Sequence, residues 1–251
     1  MSKKVFISGS ISVKKLPISV MASLQKMIDN QLEILVGDAS GIDELVQHFF
    51  AQQQYYNVTV YSITHKPRIK RSSNFKSQYI EVVTESSRER ERQRDKDAAM
   101  TNDSDYSLVI WDGFSKGSYA NILRSIQQGK SARVYLSGIQ EFLPQEKVSE
   151  NEIKYIYETN NGYSAREVVK YLQEKDINFF KNTLALNKYL VNNNVIEKKD
   201  KDYIPLADPK YFIINYYHGK MTGFSFTMEF VGWLEAQIKD SLYCDEQKEL
   251  F

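Results

Sequence analysis

Residues 33–50 read EILVGDASGIDELVQHFF, and this stretch decides the fold. Its first part, EILVG (33–37), is a short continuous apolar run, the pattern of a strand covered on both faces. Its last part sets Ile42, Leu45, Val46, Phe49 and Phe50 at i, i+3, i+4, i+7 and i+8, the stripe of a helix packed on a sheet. Only the short Asp38–Gly41 loop separates them, so strand, glycine turn and helix follow one another as in a βαβ unit.

The same alternation runs outward in both directions. KVFIS (4–8) is a strand run; Pro17 then suits a first helical turn, with Met21, Leu24 and Ile28 on one face. VTVYSI (58–63), YSLVIW (106–111) and ARVYL (132–136) are further strand runs, and residues 119–128 carry Ile122, Leu123 and Ile126 at helical spacing. Residues 64–86 read as irregular and 87–100 as a helix. Strand–helix alternation with short continuous strands predicts an α/β fold, a Rossmann-like open parallel sheet with helices on both faces. Residues 1–140 are expected to form this domain and 141–150 a linker. From 151 to 251 the texture changes. SAREVVKYL (164–172) and TLALNKYLV (183–191) read as helices, VIEKK and YIPL as a small hairpin around Asp200-Lys201-Asp202, and MEFVGWLEAQI (228–238) as a last helix. That order predicts a small α+β, winged-helix-like domain.

Composition narrows the function classes. The 251 residues hold 33 Lys+Arg against 32 Asp+Glu, which excludes a polybasic protein. No apolar run of about 18 residues is present to cross a membrane, and the start, MSKKVFISGSIS, has no secretory apolar region. One cysteine, Cys244, excludes an intramolecular disulfide and a cysteine-built zinc site; His48, His65 and His218 are scattered. The expectation is a cytoplasmic protein with no metal and no resident cofactor.

Three glycine loops fall at the carboxyl edge of the predicted sheet, where open α/β sheets bind ligands. They are Ser8–Ser12 with Gly9 and Ser10, Gly37–Gly41, and Asp112–Ser118 with Gly113, Ser115, Lys116, Gly117 and Ser118. Glycine lets the backbone approach a ligand, and the helix start behind such a loop offers free N–H groups to a phosphate. The ordinary alternative is three βα turns in which glycine and serine are caps. Neither GxGxxG nor GxxxxGK[ST] occurs.

Together, FISGS, LVGDASGID and KDAAMTNDSDYSLVIWDGFSKGSYANI resemble the SLOG superfamily over about residues 3–137. This superfamily groups DprA/SMF proteins, LOG-type nucleotide phosphoribohydrolases and related nucleotide-binding Rossmann-like proteins. The resemblance implies a nucleotide-like ligand at Gly9, Ser10, Gly37, Asp38, Gly41, Asp43, Asp112, Gly113, Ser115, Lys116, Gly117, Ser118 and Asn121, and a homo-oligomer, a dimer. LOG-type hydrolases carry a glutamate in PGGxGTxxE; Asn121 stands there in this chain, and an amide cannot act as a carboxylate base. Asp38 and Asp112 are the catalytic candidates that remain, with Asp43 beside them, as an acid/base pair on a ribosyl bond. Each also has a structural reading: Asp38 and Asp43 at a helix start, Asp112 in a turn.

Residues 65–97 concentrate charge, with ten Lys/Arg and six acids. Residues 88–92 alternate Arg and Glu as a solvated helix does, whereas Arg94 and Lys96, next to the matched Lys96–Met100 segment, are ligand-contact candidates. Phe75 and Tyr79 are candidates to cover a base. The tail is similar to the KilA-C module of phage antirepressors, which implies nucleic-acid binding. Its 13 Lys/Arg and 15 Asp/Glu over 151–251 argue instead for a protein partner, since DNA affinity follows the cation count.

The leading expectation is a protein that binds or senses a phosphorylated nucleotide-like small molecule, with the tail relaying occupancy to a partner. The alternatives are an N-glycosidic or phosphoribosyl hydrolase or transferase, and a nucleic-acid-binding regulator.

Overall fold

A computed structural model describes residues 2–217 and 220–248. The readings of His218 and of the Cys244 side chain lie outside the described residues. The chain divides into two compact units, Met1–Ile156 and Tyr157–Phe251.

The first unit is a seven-stranded, mostly parallel sheet flanked by helices, a Rossmann-like arrangement. Its strands are β1 (Lys4–Gly9), β2 (Glu33–Val36), β3 (Val58–Ser62), β4 (Lys76–Tyr79), β5 (Tyr106–Trp111), β6 (Ser131–Leu136) and β7 (Glu141–Phe142). Its helices are α1 (Ile18–Asp29), α2 (Ile42–Gln52), α3 (Glu89–Asp103) and α4 (Lys116–Gln127). The spatial order is β4-β3-β2-β1-β5-β6-β7, and only β7 runs antiparallel, against β6. The chain steps outward from β1 to β4, then returns to add β5 on the other side of β1. The switch point therefore lies between β1 and β5.

The apolar runs fill the interior as predicted. Val5, Ile7, Ile34, Val36, Val58, Val60, Leu108 and Ile110 pack with Val20, Leu24, Ile42, Val46 and Phe50 of α1 and α2. Phe6, Leu35, Tyr61 and Met100 form a second cluster, with Met100 supplied by α3.

Three segments differ from the sequence reading. The stretch 64–86 contains β4, an edge strand whose residues KSQY are all exposed, so it shows no apolar alternation. The linker expected at 141–150 holds β7, and α5 (Glu150–Asn161) starts at its end. The helix expected at 119 begins at Lys116, which draws Lys116, Gly117 and Ser118 into its first turn.

The second unit contains α6 (Ala165–Glu174), α7 (Thr183–Asn192), β8 (Ile196–Lys199), β9 (Asp202–Pro205), β10 (Phe212–Tyr217), β11 (Lys220–Phe226) and α8 (Met228–Lys248). Ser164 and Glu167 form a reciprocal capping box at the start of α6. The β8–β9 hairpin matches the reading; the antiparallel β10–β11 hairpin adds to it. Val168, Leu172, Leu186, Leu190, Phe226 and Phe230 sit in its core.

Candidate functional site

The carboxyl ends of β1 and β5 open into a cleft of about 600 Å³, walled by α3, α4 and the first turn of α2. It lies at the switch point, where a ligand site is expected in an open α/β sheet.

Close backbone approach shapes its floor. A Cβ on Gly9 would stand 2.4 Å from the Ile110 carbonyl oxygen, so glycine lets the end of β1 press against β5. Gly41 has φ +82°, and a Cβ there would stand 2.6 Å from the Ile11 Cα. Gly37, Gly41 and Gly113 thus contribute to the backbone around the cleft but do not line it.

The β5–α4 loop is held by a hydroxyl and amide network. Asp112 accepts from the Ser12 hydroxyl (2.6 Å) and from the Phe114 and Ser115 N–H groups (2.9 and 2.7 Å). The Ser10 hydroxyl accepts from the Asp112 N–H (3.0 Å) and bonds the Ser115 hydroxyl (2.5 Å), which in turn reaches Ser118 (3.1 Å). Burial works to raise the Asp112 carboxyl, but the Ser12 hydroxyl and the two amides outweigh it and hold the group below its usual value. Asp112 is therefore a loop anchor held as an anion on the cleft wall. Ser115 makes no side-chain cap at the start of α4, and Ser115, Lys116, Gly117 and Ser118 line the cleft.

Asp38 is also held as an anion, by cations. Fully buried, it is absent from the cleft lining. Its Oδ1 meets Arg68 Nη2 (2.8 Å) and Lys96 Nζ (3.1 Å). Its Oδ2 accepts from the Ser62 hydroxyl (3.0 Å), the Arg68 backbone N–H (3.1 Å) and Arg68 Nε (3.2 Å). Burial alone would raise this carboxyl; the Arg68 hydrogen bonds and the Lys96 charge override it and drive it far below the ordinary range. A carboxylate with five donors has no lone pair to spare for a substrate. It ties the irregular 64–75 segment to the sheet edge through Arg68 and seats Lys96.

Lys96, only 3% exposed, reaches the cleft from below. Two other carboxyls flank it. Asp43 accepts from the Ala39 N–H (3.2 Å). The surrounding protein pushes Asp43 up to about 6 against the pull of Lys96, with Asp97 and Asp38 adding like charge. Asp97 is also raised by burial, against Lys96, Arg124 and a hydrogen bond from Asn121. Asn121 accepts from Arg124 (2.9 Å), so its amide links Arg124 to Asp97.

The sequence candidates thus separate. Gly9, Ser10, Asp43, Arg94, Lys96, Asp112, Ser115, Lys116, Gly117, Ser118 and Asn121 line one cleft; Gly37, Asp38, Gly41 and Gly113 do not. Phe75 is buried in the main core and Tyr79 stacks on His65 (ring centroids 4.2 Å apart), which removes both as covers for a base. Sequence reasoning missed Arg68, Gln93, Asp97 and Arg124 and placed Ser8 in a candidate loop without naming it as a contact; all five line the cleft. One signal was legible for Ser8, a polar residue within a strand otherwise buried and apolar. Arg90 also lines the cleft, so the alternating 88–92 stretch is not wholly a solvated face. Among the described residues no group of three His, Cys, Asp or Glu side chains could hold a metal ion, and no helix is long and apolar enough to cross a membrane.

No known protein-family profile matches the chain, and no curated protein matches it. A solved structure of DNA processing protein A from Helicobacter pylori, described as giving insight into that protein's single-stranded DNA binding mode, is a similar chain. The match covers 76% of this chain and 81% of that one, at 16% identity and a TM-score of 0.41. The fold assignment rests on the sheet order and registers above.

Proposed function

We propose that the α/β unit binds a phosphorylated nucleotide or nucleotide-derived ligand, with its phosphate against the first turn of α4. The observation that carries this reading is the uncapped start of α4 opening into the switch-point cleft. Lys116 is in that turn, and Arg94, Lys96 and Arg124 are on the same walls. Free N–H groups and the helix dipole favour an anion, and the cations add charge without a Gly-rich dinucleotide fingerprint. A thermal-shift screen with nucleoside mono- and diphosphates and ADP-ribose derivatives tests it. A ligand at 100 times its Kd stabilises by about 2.7 kcal/mol, so at least one should raise Tm by several degrees. No shift from any of them removes the reading.

We further assign the Tyr157–Phe251 unit to a protein partner rather than DNA. The 13 Lys/Arg and 15 Asp/Glu over residues 151–251 give no cationic surplus.

One observation favours a second, enzymatic reading. Asp43 and Asp97 are carboxyls raised toward neutrality on the walls of one cleft, the condition for general acid/base work on a glycosidic or phosphoribosyl bond. They replace Asp38 and Asp112 as the candidates for that chemistry. Product analysis after incubation with nucleoside monophosphates tests it. Turnover that survives in both Asp43→Asn and Asp97→Asn variants removes them from the mechanism.

A further inference from the structure

The loop that leaves β1 carries the apolar residues Ile11, Val13 and Leu16, and their fates differ. Val13 and Leu16 pack against the main core, whereas Ile11 is 58% exposed and lines the cleft. The loop that leaves β5 carries Phe114, 56% exposed, between Asp112 and Ser115, both of which line the cleft. A single exposed apolar side chain is ordinary on a protein surface. These two stand apart because the backbone beneath each is fixed, and because both belong to the mouth of one cleft.

The Ile11 backbone is pressed against the start of α2. A Cβ on Gly41 would stand 2.6 Å from the Ile11 Cα and 3.0 Å from its carbonyl oxygen, so the bare glycine is what lets the two segments meet. The same carbonyl accepts from Lys14 Nζ (2.8 Å). Phe114 donates its backbone N–H to Asp112 (2.9 Å), and Asp112 also accepts from the Ser12 hydroxyl (2.6 Å). One carboxylate thus ties Phe114 to the residue after Ile11, and the two loops make a single fixed rim. Groups held in place before a ligand arrives lose little freedom when it binds.

We propose that Ile11 and Phe114 form a nucleobase-binding lip, with the base of a nucleotide stacked on the Phe114 ring and covered by Ile11. The inference rests on the phosphate reading above and names the part of the ligand that lies outside the phosphate. Phe114 is two residues before Lys116, where α4 begins, so a base on the ring and a phosphate on that turn are neighbours, as in a mononucleotide. A sugar phosphate alone would leave both apolar side chains in water, whereas a base offers each of them a π-face. Neither side chain carries a hydrogen-bond donor or acceptor, so the lip selects a flat ring without choosing among bases. An apolar protein surface fits less well, because the exposed Ser12, Lys14 and Lys116 stand beside these residues and lysine is depleted from protein interfaces.

Calorimetric titration of the full chain with AMP and ribose 5-phosphate tests this, because the two share sugar and phosphate and differ by the base. AMP is expected to bind about tenfold tighter, within the range for one stacked base. Phe114→Ala should remove most of that advantage and Ile11→Ala part of it, with the affinity for ribose 5-phosphate unchanged; Phe114→Trp should keep it. Both side chains are exposed, so the ligand-free Tm should hold in each variant. Equal affinity for the two probes in the wild type, or an AMP advantage that survives Phe114→Ala, overturns the lip and leaves the phosphate site standing. A dimer that dissociates in Phe114→Ala with the AMP advantage intact gives the surface to a second copy and also overturns it. No binding of either probe overturns both readings.

Discussion

Asp38 and Asp43, five residues apart, show how far environment separates a loop carboxyl from one in the following helical turn. Asp38 is buried against Arg68 and Lys96 and stays ionised; Asp43, on the cleft wall, is pushed up to about 6 chiefly by burial, with Asp97 and Asp38 adding like charge. Breaking a buried pair leaves an uncompensated charge, so Asp38→Asn is expected to cost about 3 kcal/mol in urea unfolding by stranding Lys96. A loss below about 1 kcal/mol would show that Lys96 finds another partner. Asp43 predicts a pH dependence of opposite sense. Its folded value lies above the unfolded one, so between about pH 4 and 6 the native state binds the extra proton. Stability from this group is therefore present at low pH and lost as pH rises through about 6. The urea midpoint should fall more from pH 5 to pH 7.5 in the wild type than in Asp43→Asn; equal changes would contradict the assignment. Neither behaviour was legible in GDASGID, because both carboxyls sit in a helix-start context and only the fold sets their partners.

Elements with an apolar signature were legible, and those without one were not. β1, β2, β3 and β5 are nearly continuous buried runs, β6 buries Ala132, Val134 and Tyr135, and α2 carries a full stripe. β4 is exposed at every residue, β7 has two residues, and α5 buries only Ile153, so no period marks them. The cleft followed the same rule. Its glycine and serine loops were visible as turn chemistry, while α3 was visible only as charge; that its Gln93, Asp97 and Met100 share a wall depends on how the helix docks. The α2 start supplies an element-scale test. Gly41→Ala forces a side chain into φ +82° and against the Ile11 backbone, which cannot move aside as a side chain would. The expected loss is about 1–3 kcal/mol by denaturant unfolding. An unchanged midpoint would mean that the loop before α2 is not held as described.

For the whole molecule, the balance of 33 cations to 32 anions conceals an uneven distribution. Residues 1–150 hold 20 Lys/Arg and 17 Asp/Glu, while 65–97 alone hold ten and six. The local surplus includes Arg68, Arg90, Arg94 and Lys96 on the cleft wall. Near-neutrality thus excludes a polybasic protein and still permits one anion-facing cleft. The two hydrophobic cores share no residue, and a unit of some 150 residues is large enough to bury its own core. A fragment spanning residues 1–156 is expected to unfold cooperatively and to bind the same phosphorylated ligand within about threefold of the full chain. An unfolded fragment would show that the first unit depends on the second.

The central claim is a location, the phosphate of a nucleotide-like ligand on the first turn of α4, and hydrogen–deuterium exchange reads location directly. With a nucleotide that raises Tm, the account predicts new protection in peptides covering Ser115–Tyr119 and Arg90–Asp97, and none in β4 or the Tyr157–Lys248 segment. Protection confined to other segments, with the α4 start exchanging as in the free protein, would contradict it.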